Sequence, residues 1–429
     1  MRILLTGASG FIGQHLLHAL LAEGHHVVCA VRKAKASTDP RLAYVHADFT
    51  KDTDKSVWLA RLTGIDAVIN AVGIFRESGR QTFARLHTET PRALFAACAE
   101  SHDVQMVIQF SALGADRDAQ TPYHLSKKAA DDYLAALPVR AYIVQPSLVY
   151  GKEGASARVF KALASMPFAV RFGNAPQLVQ PVHVDDVAAA IVGLLRHRLP
   201  LPGTEVTAQR VPLVGPQALA FTDYLAALRT AMGMGRLRVL HLPGSFARLL
   251  AKLGRWLPGG LLDEDTLSML DRGNTADPAT TMLLIGRAPR PVREFVIDPP
   301  AERLQAKLVW LLPLLRYSVA AVWIVTAIVS YGLYPPAQSY ELLARTGIPE
   351  ALRPLMLYGA ATFDLALGLG ILLLKRRRWL WLVQLALIAF YTVVIAIRLP
   401  EFALHPYGPL TKNLPMLAAI WLLYQLEEE

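Results

Sequence analysis

Residues 2–21 read RILLTGASGFIGQHLLHALL, and this stretch decides the fold. RILLT is apolar and short enough for one strand, and Phe11, Ile12, Leu16, Leu17, Leu20 and Leu21 then share one face of a helix. Between them stand Gly7, Gly10 and Gly13, spaced GxxGxxG. Glycines permit a tight turn and let an anion reach the helix N-terminus, where free N–H groups and the helix dipole favour negative charge. A lone glycine triplet is weak evidence, but strand, turn and helix in this order predict a dinucleotide-binding unit.

A second strand, HVVCAV at 26–31, ends where such folds meet the adenosine ribose. A site that prefers NAD places a carboxylate there to hold the 2′-hydroxyl. Here stand Val31, Arg32 and Lys33, with no acid and a guanidinium available for a 2′-phosphate. NADP(H) is therefore the expected cofactor, and NAD(H) the alternative. Further strands are expected at 67–72, AVINAV, and 105–110, QMVIQF, separated by helical stretches such as 91–100. The alternation predicts an α/β fold, a Rossmann-type doubly wound parallel sheet over residues 1–150 with return elements from 180–200. Ligands of such sheets bind at the carboxyl ends of the strands, which carry Asp48, Asn70 to Gly73, and Ser111.

Residues 123–127, YHLSK, put Tyr123 and Lys127 on one face of any helix that carries them. Chance supplies many such pairs, so position must distinguish this one. It follows the strand-end Ser111 by twelve residues, downstream of the glycine turn. Coulomb attraction to an ammonium favours phenolate, so the pair is suited to proton exchange with a substrate oxygen.

Together, TGASGFIG, HADFT, NAVG, FSALGA, YHLSK, QPSLVYG and PVHVDDVAAAI resemble the short-chain dehydrogenase/reductase superfamily in its extended and atypical forms, over about residues 1–300. The SALGAD run and Val31-Arg32 most resemble the atypical branch that includes the NADPH-carrying accessory subunit of complex I. The resemblance implies that Tyr123 is the general acid or base, that Lys127 lowers its pKa and bonds the nicotinamide ribose, and that Ser111 polarises the carbonyl. It also implies a cofactor lying along Gly7, Ser9, Gly10, Phe11, Ile12 and Gly13, along Asn70, Ala71 and Gly73, and against Pro146, with Asp48 at the adenine. Ala112 and Leu113 follow Ser111 where members acting on nucleotide sugars carry a serine cluster, and Gln145 precedes Pro146 where arginine is common. No sugar-nucleotide substrate is inferred.

Residues 151–300 are expected to form a small, variable substrate-side region. Within it, His183 beside Asp185 and Asp186 has a metal-like composition, but two acids at a helix N-terminus serve as cap and dipole partners. The proline-rich stretch 286–302, GRAPRPVREFVIDPPAE, reads as a linker.

Beyond residue 305 the composition changes. Four apolar segments, about 308–334, 355–374, 379–397 and 410–426, approach or reach the roughly 20 residues that cross a bilayer. A soluble bundle would show polar faces, and WLWLVQLALIAFYTVVIAI at 379–397 has none. Trp310, Tyr317, Tyr334, Trp379, Trp381 and Tyr424 lie near segment ends as an aromatic belt. A four-helix transmembrane bundle is expected over 305–429. The KRRR loop, Lys375 to Arg378, holds the turn between the second and third spans in the cytoplasm, which puts residue 300 and the C-terminal EEE there too. This is the pattern of a multi-pass inner-membrane protein. Through YGAATFDLALGL and LHPYGPLTKNLP the region resembles the DoxX-like family of small four-helix membrane proteins. Asp364, near the middle of a span, is costly there and marks a candidate intramembrane site.

The 429 residues carry a net charge of +10 and are 53% hydrophobic. Basic residues are scattered, with no aromatic-basic platform or reading helix, so nucleic acid is not an expected partner. Cytoplasmic loops of a membrane protein account for the charge. Cys29 and Cys98 lie far apart in apolar runs without CxxC or clustered histidines, so no metal site is expected. The N-terminus lacks the pattern of a signal peptide. The best reading is a membrane-anchored NADP(H)-dependent oxidoreductase that moves hydride to or from a carbonyl, quinone or other apolar substrate. Its expected partners are the lipid bilayer, a lipophilic or quinone-like small molecule and a membrane redox partner. The alternatives are a non-catalytic NADPH-binding scaffold for assembly or redox sensing, and a nucleotide-regulated transporter or redox partner with Asp364 in its path.

Overall fold

The computed structural model describes residues 1–172, 176–197, 207–242 and 264–427. Two units, Met1–Ala306 and Lys307–Glu429, each hold their own core. In the first, the chain runs β1 (Arg2–Thr6), α1 (Phe11–Ala22), β2 (His26–Val31), β3 (Leu42–His46), α2 (Lys55–Leu59) and β4 (Ala67–Asn70). It continues through α3 (Thr90–Glu100), β5 (Met106–Phe110), α4 (Pro122–Ala135) and β6 (Ala141–Pro146). A last strand, Ala208–Leu213, completes a seven-stranded parallel sheet in the order Ala208–Leu213, β6, β5, β4, β1, β2, β3. This is the doubly wound fold expected from the sequence.

Both faces of the sheet are covered, which explains why its central strands are apolar throughout rather than alternating. Leu16 and Leu20 of α1 pack on one face with Val187, Ile191 and Leu194. Trp58, Leu94, Phe95, Ala130 and Leu134, from α2, α3 and α4, pack on the other. The order reverses between β1 and β4, so their carboxyl ends open a crevice where ligands of such sheets bind.

The substrate-side region has its own core, which includes Tyr150, Ala157, Ala164, Tyr224, Leu228, Val292, Phe295 and Ala306. Parts of it, residues 173–175, 198–206 and 243–263, lie outside the described residues. The stretch 286–302 is not a linker, because Val292 and Phe295 are buried and Phe295 stacks on Tyr150 at 4.7 Å. Its prolines conceal two core side chains. Asp185 and Asp186 lie in the first turn of helix Val184–His197, as dipole partners should, and Asp186 also binds Arg287 and the Arg290 amide.

Glu302, 1% exposed, sits in the first turn of helix Pro299–Ile328 and accepts bonds from Lys161 Nζ at 2.8 Å and Tyr150 Oη at 3.1 Å. Lys161, 4% exposed, has its ammonium against this carboxylate. A buried charge left without its partner is costly.

Among the described residues, three helical stretches are long and apolar enough to cross a membrane: Pro299–Leu333, which begins in the first unit, and Glu350–Leu373 and Arg378–Arg398 in the second. Asn413–Leu426 is apolar but only 14 residues long, and Pro336–Arg345 is a short amphipathic helix that the hydropathy pattern did not separate. Side chains from all four apolar helices share one core, among them Val319 and Trp323, Leu367 and Ile371, Trp381 and Ile388, and Ile420 and Leu423. A Cβ on Gly368 would stand 2.6 Å from Ile324 Cγ1, so glycine there allows close helix contact. Glu427 accepts bonds from Arg316, Arg377 and Trp381, while Glu428 and Glu429 lie outside the described residues.

Glu302→Gln should keep the bonds to Tyr150 and the Ile297 amide but strand the Lys161 ammonium. We expect a loss of about 3–5 kcal/mol, seen as a lower thermal midpoint of the solubilised protein, with most of it recovered in Lys161→Met/Glu302→Gln. No recovery in the double variant would show that the pair is not what matters there.

Candidate active site

The glycine turn is shaped by contacts that no side chain could share. Gly7 has a φ of +72°, and a Cβ there would lie 2.6 Å from the Ala71 carbonyl group. At Gly13 a Cβ would lie 2.0 Å from the Gly7 carbonyl oxygen. Gly10 caps α1 without a side-chain bond, and the first turn holds no acid, so its amides are available to an anion. This bare cradle fits a dinucleotide pyrophosphate. Ser9 is exposed on the turn, Ile12 packs against the core, and the Phe11 ring lies so near Gly151 that a Cβ there would be 2.6 Å from it.

Arg32 and Lys33 are exposed just beyond β2. Burial acts to raise the pKa of Asp48, but bonds from Thr50 Oγ1 at 2.8 Å and Thr50 N–H at 3.0 Å, with Lys51 and Arg32 nearby, hold it below the usual carboxylate range. The side chain of Asn70 is fully buried: it accepts from Thr6 Oγ1 at 2.6 Å and donates to Gln109 Oε1 at 2.7 Å. It therefore ties β1, β4 and β5 together, and past it the Ala71 carbonyl lies against Gly7 while Gly73 lies beside Lys127 Nζ. Pro146 ends the buried strand β6.

Helix α4 begins where it does for local reasons. Thr121 caps it by accepting the His124 amide at 3.3 Å, and Pro122 occupies the first turn, where its missing N–H costs nothing. That start sets the phase of Tyr123 and Lys127, one turn apart. Lys127 is 3% exposed and donates to the carbonyls of Phe110 at 2.9 Å and Val72 at 3.3 Å. Its Nζ lies 3.1 Å from where a Cβ on Gly73 would stand, at the lip of the crevice. Burial lowers its pKa, and the charge of Asp131 opposes this. Tyr123 is pushed up to about 12, by burial first and by Asp131 second, so its phenol is protonated at neutral pH. That direction is opposite to the one expected from a lysine beside it.

Ser111 follows Phe110, whose carbonyl accepts from Lys127. Its hydroxyl donates to the carboxylate of Asp131, which is fully buried and also lies 3.4 Å from Arg210 Nη1. Burial raises Asp131 to about 6, against the Ser111 bond and the Arg210 charge. Its Oδ1 has no partner among the described residues.

His87 was not legible in the sequence. It lies in a π-helical turn, Ala84–Glu89, directly before α3. Pro91 explains the turn: it cannot donate to the His87 carbonyl four residues back, and its ring would clash there, so the helix widens. The imidazole is 1% exposed, accepts the Ile74 amide at Nε2 at 3.0 Å, and meets Ser126 Oγ at 2.9 Å through Nδ1. With Nε2 accepting, Nδ1 carries the proton, and Ser126 in turn donates to the Tyr123 carbonyl at 2.8 Å. Burial first, and then the Lys127 charge, lower its pKa to about 2, so it is a neutral brace under Tyr123.

In the second unit Asp364 is buried on the same helix face as Ala361, Leu367, Gly368 and Ile371, and its Oδ1 has no partner among the described residues. Gln384 accepts from Trp323 Nε1 at 2.8 Å. Among the described residues no cluster of three His, Cys, Asp or Glu side chains could hold a metal ion. A cavity of about 800 Å³ lined by His15, His18, Asp185 and Arg290 shares no residue with the glycine turn, Tyr123 or Lys127.

Comparison with known proteins bears on both units. Residues 3–205 match the NAD dependent epimerase/dehydratase family, and residues 320–421 match the DoxX-like family. A ceramide reductase of Caulobacter vibrioides is 28% identical over 195 residues, which are 45% of this chain and 61% of that protein. The mitochondrial NADH dehydrogenase (ubiquinone) 1 alpha subcomplex subunit 9 of Arabidopsis thaliana is 28% identical over 199 residues, 44% of this chain and 49% of that one. The matches thus span less than two thirds of either relative. A nucleoside-diphosphate-sugar epimerase of Staphylococcus aureus superposes with a TM-score of 0.55 at 18% identity, covering 69% of this chain and 99% of that one. The UDP-glucuronic acid 4-epimerase of Bacillus cereus gives 0.50 at 20% identity, covering 72% and 100%. At these identities the solved structures speak for the fold alone. The chain thus joins an N-terminal Rossmann-type region that matches the NAD dependent epimerase/dehydratase family to a C-terminal region that matches the DoxX-like family.

Proposed function

We propose that the chain is a membrane-anchored NADP(H)-dependent oxidoreductase that acts on the carbonyl or alcohol of a lipophilic substrate, a quinone being one such carbonyl compound. The observation that carries this reading is the buried Lys127 ammonium at the crevice lip, one helical turn from a protonated phenol. A scaffold that only holds a nucleotide has no use for that pair. The relative named a ceramide reductase supports a lipid-like substrate, as do three helices able to cross a membrane. The KRRR loop supports an inner-membrane orientation with the first unit and the C-terminus in the cytoplasm.

In this reading Gly7, Ser9, Gly10, Phe11, Ile12 and Gly13 form the pyrophosphate turn, and Arg32 and Lys33 take the 2′-phosphate. Asp48 meets the adenine, while Ala71, Gly73 and Pro146 line the crevice and Asn70 braces it through Thr6 and Gln109. When bound, a nicotinamide dinucleotide supplies or accepts the hydride that interconverts carbonyl and alcohol. In the reducing direction Tyr123 gives its phenolic proton to the carbonyl oxygen, and the Lys127 ammonium stabilises the phenolate left behind. A phenol with a raised pKa keeps that proton until charge develops on the substrate oxygen. Asp131 supports the charge on Lys127, Ser111 holds Asp131 in place, and His87 positions Tyr123. A second reading, a proton or ligand path through the bundle, is favoured only by the Asp364 oxygen that has no partner among the described residues.

Tyr123→Phe should lower turnover by about 100-fold or more while leaving NADPH affinity within about threefold, read by nicotinamide absorbance and by fluorescence titration. Equal activity in the variant would sink the acid role. Arg32→Ala should weaken NADPH binding by about 10- to 100-fold and NADH binding far less, because the 2′-phosphate loses one charged donor. Because Lys127 is charged only below its lowered pKa, kcat/KM for reduction should fall on the alkaline side, at a pH below the ordinary lysine value of about 10.4. Asp131→Asn removes a charge that raises Lys127, so this limb should move to lower pH, and a limb that stays fixed would exclude Lys127 as its source.

A further inference from the structure

The loop that follows β4 presents an aromatic surface beside the reacting phenol. Phe75 has its ring centroid 5.3 Å from that of Tyr123, and Phe83 approaches the same ring at 6.1 Å, edge to face. Phe83 also stacks on His87 at 5.2 Å, and His87 meets Tyr123 at 5.6 Å, so one side of the phenol is walled by rings. Core packing explains His87, which is buried, but not Phe75, which leaves 54% of its surface in water. A large apolar side chain held open beside a polar reacting group is unfavourable until something covers it.

The loop also holds the ring in place. The Ile74 amide is bonded to His87, Ser78 and Gln81 exchange both backbone bonds at 3.0 Å, and the Phe83 amide donates to Glu77 Oε1 at 2.6 Å. Bonds on both sides of Phe75 hold the loop backbone and its ring rests on Tyr123, so the exposed face is a preformed surface. A sugar would offer hydroxyls that such a wall cannot bond, whereas an alkyl chain would cover it and gain the apolar burial.

From this, and resting on the function proposed above, we propose that Phe75, with Phe83 against the same phenol, is the specificity-determining wall of the substrate site. It receives the apolar chain attached to the reacting carbonyl, so the substrate class is a long-chain ketone or aldehyde rather than a small or sugar-borne one. The carbonyl meets Tyr123 while its chain lies over Phe75.

The test uses the full-length protein in detergent with NADPH and a series of straight-chain methyl ketones from 2-butanone to 2-tridecanone. The wild type should favour 2-tridecanone. Phe75→Ala should reduce the ratio of kcat/KM for 2-tridecanone over 2-butanone by about tenfold or more, mainly through KM, and Phe75→Leu should keep that ratio within about threefold of wild type. A ratio unchanged in Phe75→Ala overturns the wall while Tyr123→Phe, inactive on both ketones, would leave the proposed function standing. A wild type that binds NADPH and oxidises it with no ketone of the series overturns both.

Discussion

An ammonium withdrawn from water must be solvated by the protein, and in this chain that duty falls to two backbone carbonyls, those of Phe110 at the end of β5 and Val72 two residues beyond β4. The requirement fixes much else. A shift of α4 by one residue would swing Lys127 by about 100° around the helix and away from both acceptors. Thr121 and Pro122 therefore act at a distance of one turn, because by setting the first residue of α4 they set the phase of the pair that follows. Asp131, one further turn along the same face, faces the same region and is itself held by Ser111 and Arg210. The site is thus arranged around a charge that could not otherwise be buried.

Much of this was legible because it is local. The glycine turn is read from its place between a strand and a helix, YHLSK from its place after that turn and a strand-end serine, and the central strands from apolar runs that fit a sheet covered on both faces. What the sequence concealed depends on partners far along the chain. Ser111 faces a carboxylate twenty residues on, and Asn70 bonds a threonine sixty-four residues back, so both strand-end side chains are committed within the fold. No motif or spacing in the sequence marks His87, and only the consequence of Pro91 for the preceding turn brings it under Tyr123. The stretch 286–302 misled for the opposite reason: its prolines suggest a linker, while Val292 and Phe295 complete a core.

The second unit was legible at the level of hydropathy and less so at its edges. Its long apolar helices have the length and composition of candidate membrane spans, and the small Gly368 marks a close helix contact. The helix Pro336–Arg345 is short and amphipathic, and averaging over a span-length window hides it. The first long helix begins at Pro299 rather than near 308, since its opening turn is polar and belongs to the first unit.

That opening turn has a consequence for where this protein can be divided. A soluble fragment ended at the proline-rich stretch, the natural place to cut by composition, would carry Lys161 and Tyr150 in a finished core with the carboxylate that answers both of them removed. The covalent boundary between the family domains and the energetic one do not coincide. The compact first unit runs through Ala306, and so includes the beginning of a helix that continues as a candidate membrane span.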